Sequence, residues 1–280
     1  MFKVGLSTSG NKLGVEGIFE QYKNAGIEYM EVSTDPETLD YDETKRLAEE
    51  YGITLWSFHL PFMPFDKIDI SNPNLCDYTV EYFKTLIKKA TDMGPKVIVI
   101  HPSGEPIEEN DRKERLACAK ESLRKLQDYA NTLGATIAVE DLPRTCLGRN
   151  SSDILDLISA HPDLRVCFDT NHLLAEPITD FIKAVGNKII TTHVSDYDFI
   201  NERHWIPGEG KIDWQELIGA LKEVGYTGPW LYEMSFRCPN TIYRDRDITC
   251  EDFSRNAKEL FEGKTPTIFS TPKPNLGMWE

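Results

Sequence analysis

Seven ionisable residues close, or nearly close, short apolar runs of this chain: Glu31, His59, His101, Glu140, Asp169, His193 and Glu233. Four of them, Glu140, Asp169, His193 and Glu233, fall on four successive runs in the second half. Three carboxylates and an imidazole gathered in one place repel one another and lose hydration at large cost unless a cation sits among them. Hard oxygen ligands with a single imidazole suit Mn²⁺, Mg²⁺, Co²⁺ or Zn²⁺, and composition does not choose between these. Any one such carboxylate could instead cap a helix or pair with a neighbour, and a lone histidine at such a position is more often structural. Only the four together require a cation.

Further polar groups follow these positions. Asp169-Thr170-Asn171-His172 places a histidine just beyond one proposed ligand, and His193-Val194-Ser195-Asp196 adds an acid beyond another. A loop, Asn201 to Gly210, carries Glu202, Arg203, His204 and Trp205 before Pro207-Gly208-Glu209-Gly210. Its cation and donors suit a polar substrate. Asp213, with Glu216 three residues on, reads as a helix start.

These residues come from distant parts of the chain, so the fold must gather them. Eight apolar runs read as buried strands: 4–8, 29–33, 54–59, 96–101, 136–140, 164–169, 189–194 and 229–234. Between them lie segments with apolar residues three or four apart, at 15–25, 42–51, 75–90, 116–133, 152–160, 178–186, 213–224 and 250–261. Gly26, Gly52, Gly94, Gly134, Gly186 and Gly225 stand where helix-ending glycines belong. A βα repeat of eight without a composition break predicts a single (β/α)₈ barrel over residues 1–262, with the polar groups at its C-terminal mouth. The alternative, a doubly wound open sheet, normally carries a Gly-rich phosphate turn after an early strand, and none is present. Residues 263–280, rich in proline and without a period, predict an extended C-terminal tail anchored by Phe269 and Trp279.

Composition narrows the partners. A net charge of −15 and the lack of any Lys/Arg-rich run give no reason to seek nucleic acid or an anionic membrane. The N-terminus lacks the pattern of a signal peptide, no apolar stretch is long enough to span a membrane, and the six scattered cysteines include no CxxC pair. Free thiols in a reducing cytoplasm are expected.

Taken in order, His59-Leu60-Pro61-Phe62, Val99-Ile100-His101-Pro102, the Glu140 strand, Asp169 to His172, His193 to Asp196, Arg203, the stretch 207–214 and Glu233 resemble the xylose isomerase-like superfamily. That grouping holds sugar isomerases and epimerases as well as endonuclease IV, and the resemblance spans essentially residues 1–262. In the ketose 3-epimerase-like members it implies one metal, commonly Mn²⁺, bound at Glu140, Asp169, His193 and Glu233. It implies substrate contacts from His172 and Arg203, and proton transfer by the two glutamates across a metal-stabilised enediolate. Here Glu140 is followed by Asp141-Leu142-Pro143, whereas the familiar epimerases place proline directly after the glutamate. That departure bears on 3-epimerisation and not on the metal site. In endonuclease IV a trinuclear zinc site uses extra histidines, and His59, His101, His172 and His204 fall at matching positions, with Glu202 where aspartate is expected. Additional metals at these residues are therefore an open alternative, although few cations beyond Arg144, Arg149 and Arg203 are available to grip DNA.

The expected activity is isomerisation or epimerisation of a small sugar, sugar phosphate or inosose, with His59, His101 and His204 as further substrate-binding groups. The surplus histidines also admit a lyase of the same superfamily, such as an inosose or dehydroshikimate dehydratase or an enzyme cleaving 3-oxo-glycosides, since a leaving group needs a general acid. Phe62, Phe65, Phe199, Trp205 and Phe236 are the loop side chains expected to set the substrate. A homodimer or homotetramer is in keeping with the resemblance.

Overall fold

A computed structural model of the chain describes residues 2–9 and 16–278. The eight apolar runs form eight strands: β1 (Val4–Ser7), β2 (Tyr29–Val32), β3 (Thr54–His59), β4 (Val97–Ile100), β5 (Thr136–Glu140), β6 (Arg165–Asp169), β7 (Ile189–His193) and β8 (Trp230–Tyr232). They pair in parallel in the order β7-β6-β5-β4-β3-β2-β1-β8. The two ends of that order meet: Val194 bridges Tyr232 in parallel, and the Val194 N–H donates to the Leu231 carbonyl at 2.8 Å. The chain is a single (β/α)₈ barrel.

Strands covered on both faces need no polar alternation, which is why they read as continuous apolar runs. Along β4 the two faces separate cleanly. Ile98 and Ile100 pack outward in the core shared with the helices, whereas Val97 and Val99 join Ala138 and Cys167 inside the barrel. These interior side chains are small, and the Trp56 and Ile190 side chains pack against them.

Eight helices cover the barrel: α1 (Glu16–Ala25), α2 (Tyr41–Tyr51), α3 (Cys76–Met93), α4 (Arg112–Thr132), α5 (Ser151–Ile158), α6 (Ile178–Val185), α7 (Trp214–Glu223) and α8 (Cys250–Phe261). Asp213 caps α7 by accepting from the Gln215 and Glu216 amides, as its sequence context predicts. Thr249 and Asp252 form a reciprocal capping box on α8.

The tail departs from a structureless extension. A short strand β9 (Ile242–Arg244), between β8 and α8, pairs antiparallel with β10 (Ser270–Pro272) of the tail. Phe269 lies under two guanidinium groups, 4.6 Å from Arg246 and 5.8 Å from Arg244. Trp279, the other expected anchor, lies outside the described residues. Beyond β10, the tail crosses the loop after β7, where Gly277 and Met278 offer their carbonyls to Arg203 and Asn201. No helix among the described residues is long and apolar enough to cross a membrane, and all six cysteines are free thiols.

Candidate metal and active site

The barrel brings Glu140, Asp169, His193 and Glu233 together. The first three end β5, β6 and β7, and Glu233 follows β8 by one residue. One ligand atom from each lies within 4.8 Å of all the others. His193 Nδ1 is 3.1 Å from Glu140 Oε1, 3.2 Å from Glu233 Oε2 and 3.9 Å from Asp169 Oδ2. Asp169 Oδ2 is buried and makes no protein hydrogen bond, while Oδ1 accepts from the Asn171 amide at 2.6 Å. An orphaned buried carboxylate oxygen facing two more carboxylates and an imidazole is what a divalent cation would satisfy, and the donor set fits one.

The far side of the imidazole decides its orientation. His193 Nε2 lies 3.0 Å from Glu31 Oε2, which also accepts from the Ser57 hydroxyl at 2.8 Å. With the Nε2–H given to Glu31, Nδ1 is left to face the three carboxylates. This is the carboxylate–imidazole pairing that steers a ligating histidine and raises its basicity. Glu31 belongs to the strand-end set, but nothing in the sequence assigned it this part.

Burial opposes charge throughout the cluster, and neighbouring charges override it at some groups and not at others. Burial opposes a proton on His193, and the Glu233, Glu31 and Glu140 carboxylates override it, holding that ring's pKa well above the ordinary value. Burial would raise Glu233, but His193 brings it down to about 2. Asp169 goes the other way: burial and the Glu140 and Glu233 charges, working against His172, push it up to about 6. The carboxylates thus demand positive charge at their centre. A divalent cation held by Glu140, Asp169, His193 and Glu233 would supply that charge in place of the His193 proton.

Two more histidines approach the other oxygen of Glu140. His59 Nε2 and His101 Nε2 stand 3.0 Å and 3.3 Å from Oε2. His59 Nδ1 is 2.7 Å from the Leu60 carbonyl and must donate to it. A neutral His59 would then aim a lone pair at a carboxylate oxygen, so the contact requires a proton or a cation between them. Burial works against the proton, yet the Glu140, Glu31 and Glu233 charges raise His59 to about 9. Phe62 stacks on His101 with ring centres 4.4 Å apart.

At the rim, the His172 Nδ1–H donates to the Asp141 carbonyl at 2.8 Å, and Nε2 lies 3.2 Å from Glu202 Oε2. His204 Nε2 is 4.0 Å from the same oxygen, completing a second cluster that could hold an ion. Arg203 does not join these groups. Its buried guanidinium donates to Asp198 Oδ2 at 2.9 Å and to the Gly277 carbonyl at 2.6 Å. Asn171 Oδ1 accepts from the Arg203 and His204 amides, so the Asp169–His172 segment fixes the loop that carries Glu202 and His204.

A cavity of about 360 Å³ opens above the cluster. Glu140, Glu233, His101, His172, Glu202 and His204 line it, with Phe62 and Phe65 on one wall. Asp169, His193 and His59 lie beneath. Trp205 is buried, its indole N–H donating to Thr241 at 3.0 Å, and neither it nor Phe199, Phe236 or Arg203 lines the cavity. Asp196 is a scaffold residue, accepting from the Tyr197, Gly208 and Ile212 amides and the Trp214 indole. That close packing explains Gly210, where a Cβ would sit 2.2 Å from Asp196 Oδ1. Arg144, expected only as one of the few cations near the mouth, pairs with Glu105 on the cavity wall. Arg144 has a positive φ of 52°, an uncommon backbone for a residue with a side chain, and its short turn after β5 carries no pattern that marks it.

The family model for the xylose isomerase-like TIM barrel matches residues 19–253. The chain belongs to that family. Members similar to it include fructoselysine 3-epimerase of Shigella flexneri, 24% identical over 94% of this chain and 98% of that protein. Inosose isomerase of Bacillus velezensis is 26% identical over 87% of this chain and 89% of its own length. Among solved structures, a D-tagatose 3-epimerase-like protein superposes with a TM-score of 0.79 at 23% identity, covering 93% of this chain and 97% of the other. This family member is accordingly an enzyme.

Proposed function

We propose that this enzyme is a metal-dependent isomerase or epimerase of a small sugar, sugar phosphate or inosose. The observation that carries the reading is that Glu140 and Glu233 both face the cavity while both approach His193 Nδ1, so two bases flank one cation position. Glu140, Asp169, His193 and Glu233 would hold the ion, with Mn²⁺ the first choice and Mg²⁺, Co²⁺ or Zn²⁺ as alternatives. When bound, the ion polarises a carbonyl and its neighbouring hydroxyl and so lowers the cost of the enediolate. Glu140 and Glu233 are both held ionised, so either can take the proton beside the carbonyl. The glutamic acid so formed can return that proton to the adjacent carbon, whereas return on the opposite face falls to the other glutamate once it has drawn a proton from solvent. His172, His101 and His204 offer ring nitrogens to substrate oxygens, and Arg203 holds the rim loop in place. Relatives named for fructoselysine, inosose, D-psicose and L-ribulose support a polyhydroxy ketone as the substrate class. Six free thiols fit a cytoplasmic setting.

Purified enzyme with Mn²⁺ should exchange solvent deuterium into the carbon beside the carbonyl of a ketose or inosose, and Glu233→Gln should abolish the exchange. A broad panel without exchange would sink the proposal. A lyase of the same superfamily is the second reading, because His101 and His204 line the cavity where a leaving group would need a proton. Its mark is a dehydrated or cleaved product in place of an isomer. The phosphodiesterase reading has less support, since Arg144 and Arg203 are engaged with Glu105, Glu202 and Asp198 and are not presented to a polyanion. Elemental analysis of the purified protein separates one ion per chain from two or three.

A further inference from the structure

The cavity above the carboxylates has a neighbour. A second cavity, of about 660 Å³, is lined by Pro106, Thr145, Leu174, Ala175 and Met278, with Arg149 among its polar members. It shares Glu105 and Arg144 with the first, and these two side chains pair with each other, Arg144 Nε donating to Glu105 Oε2 at 3.0 Å. Among the described residues, this ion pair is what the two linings share. The two spaces differ in character. The first presents titratable groups suited to hydroxyls and a carbonyl, whereas four of the second's lining residues, Pro106, Leu174, Ala175 and Met278, are apolar.

That pair is well placed to be a doorpost. Arg144 is fixed on three sides: beyond Glu105 it donates to Asn201 Oδ1 at 2.7 Å and pairs with Glu202 Oε1 at 2.9 Å. Asn201 in turn holds the Met278 carbonyl, so the far wall of the second cavity is tied to the rim of the first. A cavity of about 360 Å³ is at the small end for ligand sites and suits a monosaccharide, while the two together reach the range of a two-part ligand.

Resting on the isomerase or epimerase reading, we infer that the natural substrate is a ketose conjugate and not a free sugar. Its sugar part reaches Glu140 and Glu233, and an aryl or alkyl substituent passes the Arg144–Glu105 pair into the second cavity. Burying that substituent draws on apolar surface that a free sugar does not have, so the gain appears in kcat/KM.

The test compares Mn²⁺-dependent deuterium exchange into D-fructose, 1-benzylamino-1-deoxy-D-fructose and 6-O-benzyl-D-fructose, which carry the substituent at opposite ends. At least one conjugate should exceed D-fructose in kcat/KM by about tenfold or more, the return expected from burying one ring. Ala175 is exposed and touches neither carboxylate, so Ala175→Trp fills the second cavity without entering the first. It should erase the conjugate's advantage and leave D-fructose unchanged, which also shows that the variant is folded. If D-fructose exchanges but neither conjugate gains, or Ala175→Trp spares the gain, the inference falls and the isomerase reading stands. If none of the three exchanges, the inference falls, and the isomerase reading is decided by the broad ketose and inosose panel.

Discussion

On the β5–β8 side of the barrel mouth, four ligand atoms surround one point, and Glu140 contributes Oε1. On the β3–β4 side, His59 and His101 converge on Oε2 of the same residue. The first bank has three carboxylates for one imidazole and is short of positive charge. The second has two imidazoles for one shared carboxylate, and a proton on His59 is enough to balance it. The same residue types thus give one bank that could hold a metal ion and another that can manage with a proton, and the ratio of carboxylate to imidazole makes the difference.

Removing the shared wall should have the largest effect. Glu140→Gln takes a charge from both banks and a base from the cavity, and exchange activity should fall by about 1,000-fold or more, with loss of bound metal by elemental analysis. Glu31→Gln acts most directly on the first bank, where it removes the carboxylate beside His193 Nε2, and more weakly on His59 of the second. Glu31 does not line the cavity, so its loss should weaken metal affinity by about 10- to 100-fold in a calorimetric titration while kcat at saturating metal is largely kept. Unchanged affinity would mean that the Glu31–His193 contact is mere packing.

His101→Ala probes the second bank. Activity should fall by about tenfold while metal content stays at one ion per chain. Loss of one ion from a multi-ion enzyme would show instead that the two banks are alike. The smallest effect is expected away from both. Asp252 caps α8, and although burial would raise its pKa, Arg246 and the Thr249 amide hold it at about 2. A carboxylate depressed in the folded state stabilises above its unfolded pKa near 4 and loses that contribution as pH falls toward 2. Asp252→Asn should therefore cost about 1–2 kcal/mol at pH 7, and the gap to the parent should close at low pH in denaturant titrations. Metal affinity should not move.

The sequence made the barrel and the quartet legible for related reasons. A strand buried on both faces is a plain apolar run, and a charge at its end stands out against it. Pairing across the barrel leaves no such mark. Glu31 meets His193 at a separation of 162 residues, and only closure sets that register. Arg203 reads as a substrate cation by type and resemblance, yet Asp198 and the tail take its donors, and an aperiodic tail gives no sign of where it will lie. Trp205 is likewise drawn away from the cavity by a partner distant in sequence. Its loop position suggested the mouth, whereas Thr241, on the connection after β8, draws its indole inward. The β9–β10 pair escaped notice because three-residue strands are too short to show a period.

The carbonyls of Gly277 and Met278 hold the loop that carries Glu202 and His204. Translation supplies these two residues after every strand and helix of the barrel. Glu140, Asp169, His193 and Glu233 all precede the tail in the chain, so the fastening of the rim loop is the last part of the site to be made. A chain cut between residues 263 and 276 would retain every strand and helix of the barrel and lack both of the carbonyls that Arg203 and Asn201 hold.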